Sequence, residues 1–186
     1  MTGFTATLLD PVLRQALGAA AALVLLVGAV HKFRAWDAFR AAVAAYRLLP
    51  ETLVTPAALA LPALELIAGG ALLAGPLRSA GSLLALVLLA TITAAVAINL
   101  VRGRADIDCG CGGAEGRQRL SWGLVVRNAA LMGAVAIGVQ EGSPRTLGLL
   151  DHTTIVFASL ALYALYACVS QLLANRPGLR DLGSRA

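Results

Sequence analysis

Residues 80–101 read AGSLLALVLLATITAAVAINLV, and residues 102–121 continue RGRADIDCGCGGAEGRQRLS. The first stretch carries no charged side chain, and as a helix rising 1.5 Å per residue it crosses the roughly 30 Å of a bilayer core. The second is the long polar loop between two apolar runs, and it holds Cys109 and Cys111 with only Gly110 between them. The junction between the two decides the fold: an all-α, polytopic membrane helix bundle that presents a cysteine loop at one end.

Composition agrees. Of 186 residues, 59% are hydrophobic and 13% charged, and the mean hydropathy is +0.79. Soluble domains carry about 25% charged residues. Ala, Leu, Val and Gly dominate and aromatics make up only 5%, so close helix packing through small residues is expected. The net charge of +5 fits arginines at span ends. The basic residues are scattered without interleaved aromatics, so no nucleic-acid partner is inferred; the bilayer itself is the expected partner.

Outward from residues 80–101, the apolar runs give about five spans in a single membrane domain, residues 1–186. The spans are 12–30, 53–74, 80–101, 122–139 and 153–173. Asp10-Pro11 marks the start of the first helix, which reads as a retained span. Pro56 and Pro62 interrupt the second span, and Gly75-Pro76 turns the chain into the third. Residues 32–49 differ in character. Phe33, Trp36, Phe39, Val43 and Tyr46 recur at helical steps while Lys32, Arg34, Asp37, Arg40 and Arg47 fall elsewhere on the wheel. That is an amphipathic helix lying at the membrane surface, stopped by Pro50. The tail beyond Asn175 is polar and expected to fray.

The Cys-Gly-Cys pair is the candidate chemistry. A disulfide closing so small a ring departs from relaxed geometry and is easily reduced, and strained, exposed bridges tend to be the labile, oxidising ones. Gly110 suits the ring because a Cβ would obstruct the backbone angles. Two other readings stay open: half of a metal site, with only Cys168, His31 and His152 to supply further ligands, and two incidental thiols. Cys168, alone in the fifth span, reads as a small buried hydrophobe.

Five polar residues fall inside or near the spans. Glu65 lies about ten residues deep, as a proton carrier, part of a small-molecule pocket, or a neutral acid hydrogen-bonded between helices. Arg127 sits shallower, at a different depth, and Asn99 lies near the end of the third span. Lys32 and His31 end the first span on the cysteine side, where a cation lowers a thiol pKa, although snorkelling to the interface is the expected role of Lys32.

These residues together resemble the MauE family of methylamine-utilisation membrane proteins, related to DoxX-type redox-associated proteins. The resemblance runs from about Val27 to Gly113. It rests on His31-Lys32, on Tyr46-Arg47-Leu48-Leu49-Pro50, on Pro62 with Glu65, and above all on Asp108-Cys109-Gly110-Cys111, an acidic residue before Cys-Gly-Cys. The order of spans is also similar to the four-helix core of vitamin K epoxide reductase and bacterial disulfide-oxidising membrane proteins, with one span added. Those enzymes carry Cys-x-x-Cys and a second cysteine pair, and this chain has neither. The resemblance implies a membrane thiol–disulfide exchange protein with Cys109 and Cys111 as its catalytic pair and Asp108 beside them. Its partner would be a thioredoxin-fold protein of the MauD type, and its client an exported disulfide-containing protein such as methylamine dehydrogenase. A quinone in the bundle is a possible cofactor, since a lone dithiol oxidises continuously only if something reoxidises it. A non-catalytic anchor for the thioredoxin-like partner and a DoxX-like quinone-linked subunit are the alternatives.

Sidedness pulls two ways. Five spans put the interfacial helix, the cysteine loop and the tail on one side, with Lys32, Arg34, Arg40, Arg47, Arg102, Arg104, Arg117, Arg119, Arg176, Arg180 and Arg185; the other side has Arg14, Arg78 and Arg145. The positive-inside rule makes the richer side cytoplasmic. Disulfide chemistry belongs to the oxidising exterior, and the expectation is a plasma (inner) membrane protein with the loop on the periplasmic or extracellular side. Of the two sulfurs, Cys111 is expected to exchange with the partner. Asp106 and Asp108 raise the pKa of Cys109, and Gly112-Gly113 leave Cys111 less hindered.

Overall fold

The computed structural model describes residues 10–110, 118–140 and 146–183, with side chains to residue 175. Cys111, Gly112, Gly113, Glu115 and Arg117 lie outside the described residues, so the cysteine ring itself does too. Among the described residues six α-helices follow in order: α1 (Pro11–Arg34), α2 (Trp36–Ala45), α3 (Glu51–Leu73), α4 (Arg78–Val101), α5 (Trp122–Gly138) and α6 (Leu149–Gly183). A 3-10 turn, Gly75–Leu77, joins α3 to α4.

Among the described residues four helices are long and apolar enough to cross a membrane: α1, α3, the run Gly75–Val101 that contains α4, and Leu149–Asn175 within α6. A further helix, α5, is apolar but only 17 residues long, near the lower end of spanning length. The chain is therefore a multi-pass membrane protein. α1 is central and packs on α3, α5 and α6, while α4 joins α3 to α5. Where α1, α3, α4 and α5 meet, Ala21, Ala22, Leu25, Ala68, Leu72, Ala85, Leu88, Leu89, Leu131 and Val135 form the main core. Its small residues bring backbones close, as expected where lipid offers no hydrophobic drive to associate.

Several boundaries differ from the sequence reading, each for a local reason. The surface helix does not begin at residue 32. Lys32 and Arg34 finish α1, the chain breaks at Ala35 (φ −105°, ψ 43°), and α2 is a separate helix of 10 residues. At 1.5 Å per residue it is too short to cross a bilayer. Its apolar stripe is turned partly into the protein: Phe39 and Ala42 are buried, while Phe33, back on α1, is exposed. Pro56 and Pro62 do not interrupt α3, which is continuous through both; neighbouring helices in a membrane re-satisfy the freed carbonyls. The expected frayed tail is instead helical, since α6 runs to Gly183. Polarity ends a span but not a helix, and Gln and Arg are good helix formers in water. Cys168 is exposed on α6, not buried as expected, because α6 turns only a narrow face inward (6% of its apolar window is buried).

Candidate functional site

The cysteine loop leaves α4 at Val101 and is closed by a short antiparallel bridge between Asp108 and Arg119. Cys109 N donates to Gln118 O at 2.8 Å and Leu120 N to Ile107 O at 3.1 Å. Asp108 Oδ1 accepts from Gly110 N at 3.0 Å, the short-range turn that Asp side chains favour. Gly110 has φ +70°, the left-handed region that suits glycine. A Cβ there would lie 3.1 Å from Ala42 Cβ and from Phe39 Cδ2, so α2 forms the floor beneath Gly110. Cys109 is 6% exposed and belongs to an apolar cluster with Val96, Leu120 and Leu124, flanked by Tyr46, Ile107 and Leu173.

Two residues outside the candidate site read from the sequence, Arg104 and Tyr46, tie this loop down. Arg104 donates to Ala45 O at 2.9 Å, Tyr46 O at 3.2 Å and Asn99 Oδ1 at 3.2 Å. A guanidinium at the last carbonyls of α2 satisfies groups that a helix end leaves open. Tyr46 Oη donates to Cys109 O at 3.3 Å. Asn99, fully buried, thus holds Arg104, and through it the loop. A chain lacking these contacts should open the loop more often. With hydrogen bonds to charged groups worth about 1.5–3 kcal/mol each, Arg104→Ala in a Cys111→Ser background is expected to speed alkylation of Cys109 by roughly tenfold or more. Gly110→Ala should act in the same direction, since an L-residue in the left-handed region costs about 1–2 kcal/mol and Phe39 must shift. Alkylation rates unchanged from the parent chain would contradict both expectations.

Beneath the loop lies the other half of the site. Lys32 Nζ sits 2.5 and 2.6 Å from the two carboxylate oxygens of Glu65, and both residues are buried, at 9% and 3% exposure. This corrects one expectation: Lys32 does not snorkel outward, because helical side chains lean toward their own N-terminus; it passes over Gly28, a Cβ on which would lie 3.9 Å from Nζ. It also gives Glu65 a cationic partner that the sequence did not assign to it. Lys32 Nζ also lies 5.7 Å from the Phe39 ring centroid, so the ion pair touches the residue that floors Gly110.

Arg127 and Asn128 continue the polar interior. Arg127 donates to Asn128 Oδ1 at 3.1 and 3.3 Å and to Ser170 Oγ at 3.1 Å, and its guanidinium lies 5.1 Å from the Tyr166 ring centroid. Asn128 Nδ2 donates to Thr93 Oγ1 at 3.2 Å. Gln118 Nε2 donates to Ser170 O at 3.2 Å, linking the cysteine bridge to α6. Glu65 and Arg127, expected at different depths, line one cavity of about 770 Å³ together with Lys32, Gln118 and Tyr166. His31 is exposed at the rim of this cavity. A second space of about 850 Å³, between the N-terminal part of α1 and α6, is bounded by apolar residues such as Val12, Ala16 and Leu165 and is remote from the loop.

Thr93 and Ser170 carried no sequence signal, since hydroxyls are ordinary in membrane helices, and Gln118 carried none as one polar residue of a polar loop. The paired placement of Arg127-Asn128 was visible, but not its partners. Asp106 pairs with Arg119 at 3.1 Å on the exposed side of the loop.

Compared with known proteins, residues 10–140 match the family model described as methylamine utilisation protein MauE. The methylamine utilization protein MauE of Paracoccus denitrificans is 34% identical over 167 residues, 89% of either chain. That of Paracoccus versutus is 35% identical over 165 residues, 88% of either chain, and that of Methylorubrum extorquens is 45% identical over 126 residues, 68% of either chain. No solved structure matches.

Proposed function

The chain belongs to the MauE family of methylamine utilisation proteins, and from that premise we propose that it is a membrane thiol–disulfide exchange component. In this reading Cys109 and Cys111 form the exchanging pair, and a thioredoxin-fold protein of the MauD type is the partner. The clients are exported proteins that need disulfides formed or rearranged, methylamine dehydrogenase among them. The observation that carries the reading is the built setting of Cys109. Its turn is fixed by Asp108, floored by Phe39 and Ala42, and clamped by Arg104 and Tyr46. An incidental thiol needs no such support.

The exchange conserves atoms and electrons by itself. A thiolate of the chain attacks a partner disulfide, the mixed disulfide forms, and the second sulfur displaces the partner as a thiolate. The chain is then oxidised and the partner reduced, or the reverse.

An inner-membrane location with the loop on the periplasmic side fits this chemistry. Several basic residues that weigh against it under the positive-inside rule have internal employment. Lys32 pairs with Glu65, Arg104 clamps α2, and Arg119 pairs with Asp106. They therefore count for less as topological signals.

The test is capture in native membranes. Acid quenching and alkylation, followed by non-reducing separation and mass spectrometry, should recover a mixed disulfide between Cys109 or Cys111 and a thioredoxin-fold protein. A chain that restores client maturation with both cysteines changed to serine is an anchor only, and the exchange reading then fails.

A further inference from the structure

The cavity of about 770 Å³ has a mouth and a wall of different chemistry, set by where two spans end. Pro11–Arg34 and Leu149–Asn175 both finish on the cysteine side, and their last residues line the mouth: His31 and Arg34 from α1, Gln171 and Asn175 from α6. All four are exposed, and among the described residues their side chains make no hydrogen bond or ion pair. Span ends of this kind lie at the level of the lipid headgroups. Farther in, the wall turns apolar, with Val24 and Leu25 of α1, Leu89 of α4 and Leu131 of α5. From Arg34 back to Val24, α1 runs about 15 Å at 1.5 Å per residue, half of the roughly 30 Å hydrocarbon core. The cavity therefore has the depth of one leaflet.

Its place in the bundle says where an occupant comes from. Both α5 and α6 line the cavity, yet each packs closely on α1 and not on the other. The polar bridges to α6, from Arg127 to Ser170 Oγ at 3.1 Å and from Gln118 to Ser170 O at 3.2 Å, sit at the loop end. Below them a gap between two spans is filled from the bilayer, and what the bilayer offers is an acyl chain. Charge selects the head. Lys32 is held by Glu65, which is the acid among the residues that line the cavity. Arg34 lines the same mouth without a carboxylate among the described residues. Arg127 adds a deeper cation whose N–H groups already go to Asn128 and Ser170, so it contributes field and not a further bond. The sum is positive at the mouth and favours an anion there.

We propose that this cavity holds an anionic phospholipid, its phosphate at Arg34 and His31 and one acyl chain along Val24 and Leu131 in the gap between α5 and α6. A free phosphate would satisfy the mouth but leave the apolar wall bare, and a zwitterionic lipid would fill the wall but carry its own cation to Arg34. The site is independent of the exchange reading above.

The experiment uses the full chain, stripped of lipid in detergent, with phosphatidylglycerol, phosphatidylcholine and inorganic phosphate as separate probes. Native mass spectrometry counts bound lipid, and the thermal midpoint reports its effect. One phosphatidylglycerol per chain is expected at concentrations where phosphatidylcholine and inorganic phosphate scarcely bind. A basic residue facing anionic lipid contributes about fivefold in affinity. Arg34→Gln is therefore expected to weaken phosphatidylglycerol by about that factor and to leave phosphatidylcholine unchanged. Ala167→Leu, which narrows the cavity from the α6 side, should weaken both lipids. Arg34 is exposed, so its substitution tests binding without risk to the fold, and a monodisperse profile checks Ala167→Leu. Equal binding of the two lipids overturns the proposal, as does phosphatidylglycerol binding that either substitution leaves unchanged. Inorganic phosphate binding as tightly as phosphatidylglycerol overturns it too, reducing the mouth to a surface anion site. Mixed disulfides at Cys109 are untouched by any of these outcomes, so the exchange reading stands or falls separately.

Discussion

A Cys109→Ser chain is expected to accumulate a mixed disulfide through Cys111, and a Cys111→Ser chain is expected to accumulate almost none. The expectation rests on the poor access to Cys109. Cys109 is 6% exposed, seated among Val96, Leu120 and Leu124, and roofed into place by the bonds that Arg104 and Tyr46 make. Exchange proceeds by in-line approach of one sulfur to another, and a partner cannot approach a sulfur packed in an apolar cluster without opening the loop. By elimination Cys111, the other cysteine of the pair, is expected to meet the partner. Cys109 then resolves the mixed disulfide from inside. Quenching growing cells with acid and comparing the two variants on non-reducing gels decides the order. Trapping through Cys109 alone would invert the roles, and would mean that the loop opens faster than the partner arrives.

The second large effect concerns the buried ion pair. Lys32→Met should destabilise the bundle by about 3–5 kcal/mol, because it leaves the Glu65 carboxylate buried without its cation. Glu65→Gln should cost a similar amount for the mirror reason, and is therefore not the mild change that a neutral acid would make it. Replacing both, Lys32→Met with Glu65→Met, should recover most of the loss, since apolar pairs often replace buried ion pairs at little cost. Thermal unfolding in detergent, followed by the fraction remaining monodisperse, measures all three. Additive losses in the double variant would show that the two side chains act separately and that the 2.5 Å contact contributes little.

The architecture was legible because hydrophobic length is a local property. Residues 80–101 announce a span by themselves, and so do the runs that became α1, α3 and α6. The Cys-Gly-Cys turn was legible for the same reason: its residue types sit side by side in the chain, and Gly110 does adopt the positive φ that its place between the cysteines suggested. Boundaries were less so. Nothing in Phe33 to Trp36 states that the chain breaks at Ala35, because that break depends on α2 turning to receive Gly110 against Phe39 and Ala42.

What only the tertiary structure decided is which polar groups meet. Lys32 and Glu65 are 33 residues apart in the chain, and Arg127 and Ser170 are 43 apart. A lysine at a helix end reads as an interfacial anchor until the neighbouring helix is seen to offer a carboxylate within reach of its inward lean. In a bilayer an unpaired charge is so unfavourable that sequence alone says each of Lys32, Glu65 and Arg127 needs company. The identity of that company is set by how the helices cross, where small residues such as Ala21, Ala22 and Ala68 let α1 and α3 approach. The cavity follows from the same crossings, as the space that the helices leave open around the charges they have brought together.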